Sequence, residues 1–239
     1  MWLALETASD RASVAVGQTA GDAIEESLSG ARRHAGALLP MVETVLRRRG
    51  IGLDEITGLI VGDGPGSFTG LRVGATAAKA LVAARGLPLH RAPSLMARAA
   101  GLAGEGNSLV LAVSDALRGE VYAGAFRFGS GSVATELEPS VWRPEALAGL
   151  GLAPNVLVGE APEVARATLE RSTGLTMITP PAGAPRATAL IALAGLAGGT
   201  REITDPSDWE PVYGRPAEAQ AKWEIAHGRP LPDPSGSAR

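Results

Sequence analysis

Residues 62–74 read GDGPGSFTGLRVG. A short apolar run, residues 56–61 (ITGLIV), leads into this glycine-rich loop, and a small-sided helix over 71–84 leaves it. A strand feeding a loop and then a helix start presents free backbone N–H groups and the positive end of the helix dipole, a setting that favours an anion. The loop is not a P-loop, because no Gly-Lys-Ser/Thr follows at the required spacing. It is not a dinucleotide fingerprint either, since GxGxxG is not met from Gly62 or Gly64. A tight strand-to-helix turn that needs glycines for positive φ accounts for the same residues. Both readings stand on spacing alone.

On the N-terminal side, residues 2–7 are an apolar strand, 13–17 (SVAVG) alternate towards a glycine, and 23–28 follow the turn Gly21-Asp22. Over residues 34–49, Leu38, Val42, Val45 and Leu46 recur at helical spacing, three arginines crowd the last turn, and Gly50 stops the helix. On the C-terminal side a strand to Arg91 and a helix over 94–102 complete a first half, and the glycine-rich stretch 101–106 marks a boundary. The second half has strands at 109–114, 120–127, 133–138, 156–159 and 175–178, with helices at 161–171 and 188–196. Three strands followed by helix, strand and helix, twice over, predict an α/β protein of two related halves. The expected units are 1–103 and 104–213, with 214–239 a polar, proline-rich, disordered tail.

Composition narrows the chemistry. Of 239 residues 45% are hydrophobic, but 43 are alanine and only nine are Phe, Trp or Tyr, so Leu, Val and Ile must build the core. The absence of cysteine excludes disulfides, thiolate metal sites and cysteine nucleophiles. His34, His90 and His227 stand far apart in sequence, which argues against an imidazole metal cage. A net charge of -3 argues against a chain whose main work is gripping phosphates. No apolar run approaches the ~18 residues of a membrane span, and WLALETAS carries no basic leader, so a cytoplasmic protein is expected.

Few side chains suggest catalysis. Glu6, Thr7 and Ser9 cluster at the first strand end, where a carboxylate beside hydroxyls suits hydrated Mg²⁺ or phosphate, or simply forms a polar turn. Asp115 holds the matching place in the second half, followed by Arg118 and Glu120. Ser67 has no local base, so no nucleophilic triad assembles. Arg32-Arg33 and Arg47-Arg48-Arg49 read as RNA contacts or as solvated helix ends.

Taken together, LALETASDRASVAV, HAGALLPMVETVL, GDGPGSFTGLRVG, VSDALRGEVYAGAF and EPVYGR resemble the TsaB (YeaZ-type) family, over residues 1–215 and most strongly over 1–128. The resemblance implies a truncated actin- and hexokinase-like (ASKHA) fold of two RNase H-like α/β halves, the second reduced. It also implies a role in threonylcarbamoyladenosine modification of tRNA, beside the catalytic subunit TsaD and the ATPase TsaE. TsaD carries a metal-binding histidine pair on its first long helix; here that helix offers only His34. The first-strand carboxylate, often aspartate in the family, is Glu6. A non-catalytic scaffold with no metal or cofactor follows, meeting tRNA only within the complex and no membrane.

Its expected partner surface, for TsaD or for a second copy, is His34, Leu38, Leu39, Met41, Val42 and Val45 on the first helix. Leu71, Arg72, Gly74, Ala75, Ala78 and Lys79 continue it on the second. For Leu39 and Met41, completion of the monomer core is the competing reading. A vestigial nucleotide or anion site is expected from Glu6, Thr7, Ser9, Gly64, Gly66, Ser67 and Asp115. If that site is live, the chain is instead a nucleotide-binding phosphotransferase or ATPase.

Overall fold

The computed structural model describes residues 1–30, 34–104 and 106–215. Strands β1 (Trp2–Glu6), β2 (Arg11–Gly17) and β3 (Ile24–Ser29) form an antiparallel meander. Helix α1 (His34–Arg49) and a single 3-10 turn lead to β4 (Gly58–Gly62), which runs parallel to β1. Helix α2 (Phe68–Arg85) then returns the chain to β5 (Leu89–Ala92), parallel to β4, and α3 (Ser94–Ala100) follows.

The pattern repeats with β6 (Ser108–Asp115), β7 (Val121–Gly129) and β8 (Ser132–Trp142), again antiparallel. After α4 (Pro144–Ala148), β9 (Val156–Gly159) lies parallel to β6. Helices α5 (Glu163–Thr173) and α6 (Ala187–Ala194) and strand β10 (Arg201–Ile203) complete the described elements. The first sheet has the order β10-β5-β4-β1-β2-β3 and the second β8-β7-β6-β9. Reading outward from β1 and from β6, the two sheets share one topology, and the second lacks a counterpart of β5. This is the duplicated, reduced RNase H-like arrangement of the ASKHA fold.

Strand alternation sorts the core. Leu3 and Leu5 face α1 and α2, joined by Val14, Val16, Leu38, Val42 and Val45, while Ala4, between them, faces the opposite way. On that opposite side, α3 and α6 lie between the two sheets with Leu95, Met96, Leu190, Ile191, Val110 and Phe126. The far face of the second sheet is covered by α4 and α5 through Leu111, Leu147, Leu157 and Leu169. The helices are exchanged between the halves: α3 packs on β6, β7 and β9, whereas α6 packs on β1, β2 and β4. Strand β10 likewise returns to the edge of the first sheet, antiparallel to β5.

Several expectations shift. Residues 175–178 form no strand, only one parallel bridge from Ile178 to Val158. Pro180 and Pro181 follow after Thr179 and supply no N–H to extend a ladder. The short elements α4 and β10 had no periodic signal long enough to register. Most of the expected tail, 216–239, and the pair Arg32-Arg33 lie outside the described residues.

The glycines at 66, 70 and 74 recur every fourth residue and press α2 and the loop before it onto the end of β1. A Cβ at Gly66 would meet the Ala8 carbonyl, at Gly70 the Thr7 carbonyl, and at Gly74 Thr7 Oγ1, each closer than 3.0 Å. The requirement is close backbone approach, which only glycine allows. Gly36, in α1, has nothing within 4 Å of the same position. Gly70→Ala should therefore lower unfolding free energy by ~1–3 kcal/mol or more through overpacking. Gly36→Ala should raise it by ~0.5–1 kcal/mol. Urea denaturation of both variants reads the contrast, and equal effects would remove the seam as the reason for these glycines.

Candidate functional site

The β1–β2 turn and the β6–β7 turn occupy equivalent places in the two sheets, and both open onto a cleft between the lobes. The cleft has a volume of about 670 Å³ and is lined by Ser9 and Asp10, by Gly66, Ser67 and Phe68, by Asp115 to Arg118, and by Glu160, Tyr122, Tyr213 and Arg215. Asp115 Oδ1 accepts from Leu117 N at 2.7 Å, and Leu117 and Arg118 take left-handed φ values of 64° and 55°. That conformation turns Leu117, 67% exposed, and Arg118 outward at the rim. On the opposite rim Phe68 packs against Tyr213, ring centroids 4.7 Å apart, with the Arg72 guanidinium 5.6 Å above the Phe68 ring.

A strap at 210–215 crosses between the lobes. Val212 N donates to the Asp63 carbonyl at 2.7 Å, and the Tyr122 hydroxyl donates to the Tyr213 carbonyl at 3.3 Å. Arg215 pairs with Glu120. The Tyr213 hydroxyl donates to Glu210 at 2.8 Å, and burial together with that carboxylate pushes its pKa up to about 12.

The structure divides the expected anion site. Ser9, Gly66, Ser67 and Asp115 line the cleft; Glu6, Thr7 and Gly64 do not. Glu6 is fully buried, its Oε1 accepting from Ala8 N at 2.8 Å and from Ser94 Oγ at 3.2 Å while Oε2 has no partner. Burial pushes the carboxyl up to about 7 against the pull of these donors and of Arg98. Thr7 is sealed beneath Gly74, and Gly64 faces a separate pocket on the other side of the loop. The loop's own amides are largely engaged inside the fold: Ser67 N donates to the Ala8 carbonyl at 2.7 Å, Gly64 N to Ser94 Oγ, and Gly70 N to Ser67 Oγ, both at 3.2 Å. Packing against the segment after β1 takes up Ser67 N, α3 takes up Gly64 N, and the N-cap side chain of α2 itself takes up Gly70 N.

The partner surface also needs correction. His34, Leu38, Met41, Val42, Val45, Leu71, Gly74, Ala75 and Ala78 are buried within the chain itself. Two adjacent apolar rows on α1 are both needed to cover the first sheet and α2, so Met41 joins the core. Leu39 (52% exposed), Arg72 and Lys79 reach the surface. Lys79 Nζ lies 3.6 Å from Glu210 and donates to the Ser207 carbonyl at 3.2 Å. The His34 ring places Nε2 3.1 Å from the Asp10 carbonyl. Among the described residues no three His, Cys, Asp or Glu side chains converge, so this donor set does not fit the metal that the resemblance places on TsaD.

Arg98 escaped the sequence reading. Its side chain is only 1% exposed and donates to the Gly183 carbonyl (2.7 Å), Ser114 Oγ (3.0 Å) and Glu160 Oε1 (2.9 Å). It ties α3 to the floor of the cleft. The available signal was a charge inside the apolar run SLMARAA, which an exposed helix face explains equally well.

The sheets and cleft define a two-lobed α/β protein of the ASKHA class. The family model described as "TsaD: tRNA N6-adenosine threonylcarbamoyltransferase" matches residues 28–196, and the chain belongs to this family. A protein named tRNA threonylcarbamoyladenosine biosynthesis protein TsaB, from Escherichia coli, is 39% identical over 121 residues, 50% of this chain and 52% of that protein. The chain thus spans about half the length of that relative. A TsaB from Bacillus subtilis is 28% identical over 197 residues, 80% of this chain and 84% of that protein. The solved structure of YeaZ from Pseudomonas aeruginosa is 28% identical with a TM-score of 0.71, covering 89% of this chain and 98% of that one. The TsaB-type resemblance read from the motifs is borne out.

Glu6 makes a pH test possible. Its folded pKa of about 7 lies above the ordinary 4.5, so the folded state holds this proton more tightly than the unfolded state. The groups around it are Arg98, Asp63 and Ser94. Stability from this group is fully present below pH 4.5 and falls by about 3 kcal/mol as pH rises to 7. Chemical denaturation of Glu6→Gln across this range should lack that fall. An identical slope in both proteins would contradict the assignment.

Proposed function

We propose that this chain is a non-catalytic subunit in the biosynthesis of threonylcarbamoyladenosine in tRNA. It binds a TsaD-type subunit and shapes the assembly that moves the threonylcarbamoyl group to the adenosine next to the anticodon, with a TsaE-type ATPase joining the pair. One observation carries the reading: the first-strand carboxylate and its neighbouring hydroxyl are sealed in the core, away from the cleft where an enzyme of this class would use them. The names of its relatives in Escherichia coli and Bacillus subtilis supply the pathway. The site of action in this reading is the cytoplasm, and among the described residues no helix is long and apolar enough to cross a membrane.

The docking face in this proposal is the solvent side of α1 and α2. Leu39 stands out there, with Arg72 and Lys79 on the neighbouring helix. Thr76, Ala80 and Ala83, small residues exposed along α2, let a partner helix approach closely. The same face serves a second copy of the chain when TsaD is absent. A second reading, a nucleotide-dependent phosphotransferase, is favoured by the open cleft with Arg118 and Arg215 in its lining. Calorimetry with Mg-ATP on the isolated chain separates the two: the scaffold reading expects no saturable heat at millimolar nucleotide, and a measurable Kd would reverse it.

Leu39→Glu places a charge on an exposed position outside the core, so the variant should fold normally. It should co-purify with TsaD at least tenfold less than the native chain, and circular dichroism verifies the fold. Undiminished co-purification of the folded variant would reject this docking face.

A further inference from the structure

A second pocket, of about 230 Å³, opens beyond the carboxyl ends of the parallel strands β4 and β5, the edge where open α/β sheets place ligands. Asp63 follows β4 directly, and β8 of the other lobe forms the facing wall. The register of the edge strand gives the pocket its chemistry. β10 pairs antiparallel with β5 so that Arg201 stands directly opposite Arg91, and residues opposite one another project from the same face. Two like charges in that relation repel unless something neutralises them.

Asp63 does only half of this. Its side chain, 3% exposed, holds Arg91 Nη1 at 2.6 Å, while among the described residues the exposed Arg201 side chain donates no hydrogen bond and has no carboxylate within 4.0 Å. Asp63 senses Arg201 only at longer range. One buried carboxylate therefore fixes the position of the first guanidinium, and the second is left to the pocket. Pro65 and Met96 supply an apolar wall, and Glu138 stands on the opposite rim. That rim carboxylate disfavours a ligand with negative charge at both ends.

We propose that this pocket binds the oxyanion group of a small organic molecule, a carboxylate or a phosphate ester, between Arg91 and Arg201. Guanidinium forks match either oxyanion with paired hydrogen bonds. The volume suits a body the size of an amino acid or a short organic acid, lying against Met96.

The test uses the full chain with acetate, threonine and inorganic phosphate as probes, at constant ionic strength, read by calorimetry and by thermal shift. At least one probe should bind saturably and raise the Tm. Arg201→Gln, which breaks no side-chain hydrogen bond or close ion pair among the described residues and removes a like charge beside Arg91, should weaken binding at least tenfold without lowering the Tm of the probe-free protein. Arg118→Gln, at the interlobe cleft, should leave binding unchanged. Binding of acetate or threonine but not phosphate assigns a carboxylate; the reverse assigns a phosphate ester. No saturable binding of any probe at about 20 mM, well above a ~1 mM affinity, equal binding by Arg201→Gln, or loss of binding in Arg118→Gln would each overturn the proposal.

Discussion

The structure turns on a close approach of α2 and the loop before it to the end of β1. Gly66 and Gly70 set the start of α2 directly against the Ala8 and Thr7 carbonyls, and Gly74 leaves room for the Thr7 hydroxyl. Any Cβ in this seam would lift the helix from the strand end, and three consequences of the contact would change with it. Thr7 would no longer be sealed, Ser67 N would lose its bond to the Ala8 carbonyl, and Phe68 would lose its place beside Tyr213. The loop that looks from spacing like an anion cradle is, in its energetics, a packing joint. Its amides serve the fold first, which is why the surrounding cleft retains its shape while its first-strand carboxylate is withdrawn.

The second constraint is the exchange of helices between lobes. Because α3 covers the second sheet and α6 the first, neither half can close its core without the other. Arg98 sits at this crossing. A guanidinium so deeply buried costs several kcal/mol in desolvation unless its donors are met; three acceptors from separate segments of the second lobe meet Nη1 and Nη2, while Nε has no partner among the described residues. The strap at 210–215 repeats the connection on the outside, fastened at Asp63 in one lobe and at Tyr122 and Glu120 in the other. The cleft between the lobes is thereby bounded by fixed walls.

Much of this architecture was legible in the sequence where a period or a turn signal was strong. The helix 34–49 and the strand 156–159 fall where apolar spacing places them, and the twofold rhythm of strands and helices gives the duplicated topology. What stayed hidden depends on tertiary context. Period alone does not distinguish a helix's core rows from its exposed row, so Leu38 and Met41 read like Leu39. A strand end does not say which way its side chains point, so Glu6 and Thr7 read like Ser9. Arg98 and the opposition of Arg91 to Arg201 arise from segments that meet only when α3 and β10 are in place. The family resemblance supplied the fold where periodicity stopped, and the side-chain geometry then separated a core carboxylate from a cleft residue.

The scaffold reading is most directly tested by reconstituting tRNA modification from purified components and counting threonylcarbamoyladenosine by mass spectrometry. The native chain, no chain, and an Asp115→Asn chain, altered at the cleft, would be compared in the presence of the TsaD-type subunit and its partners. Omission should abolish or sharply reduce product, and the cleft variant should support the native rate. Full product without the chain, or loss of product through the cleft substitution in a folded, TsaD-bound variant, would contradict a subunit that works through its surface rather than through chemistry of its own.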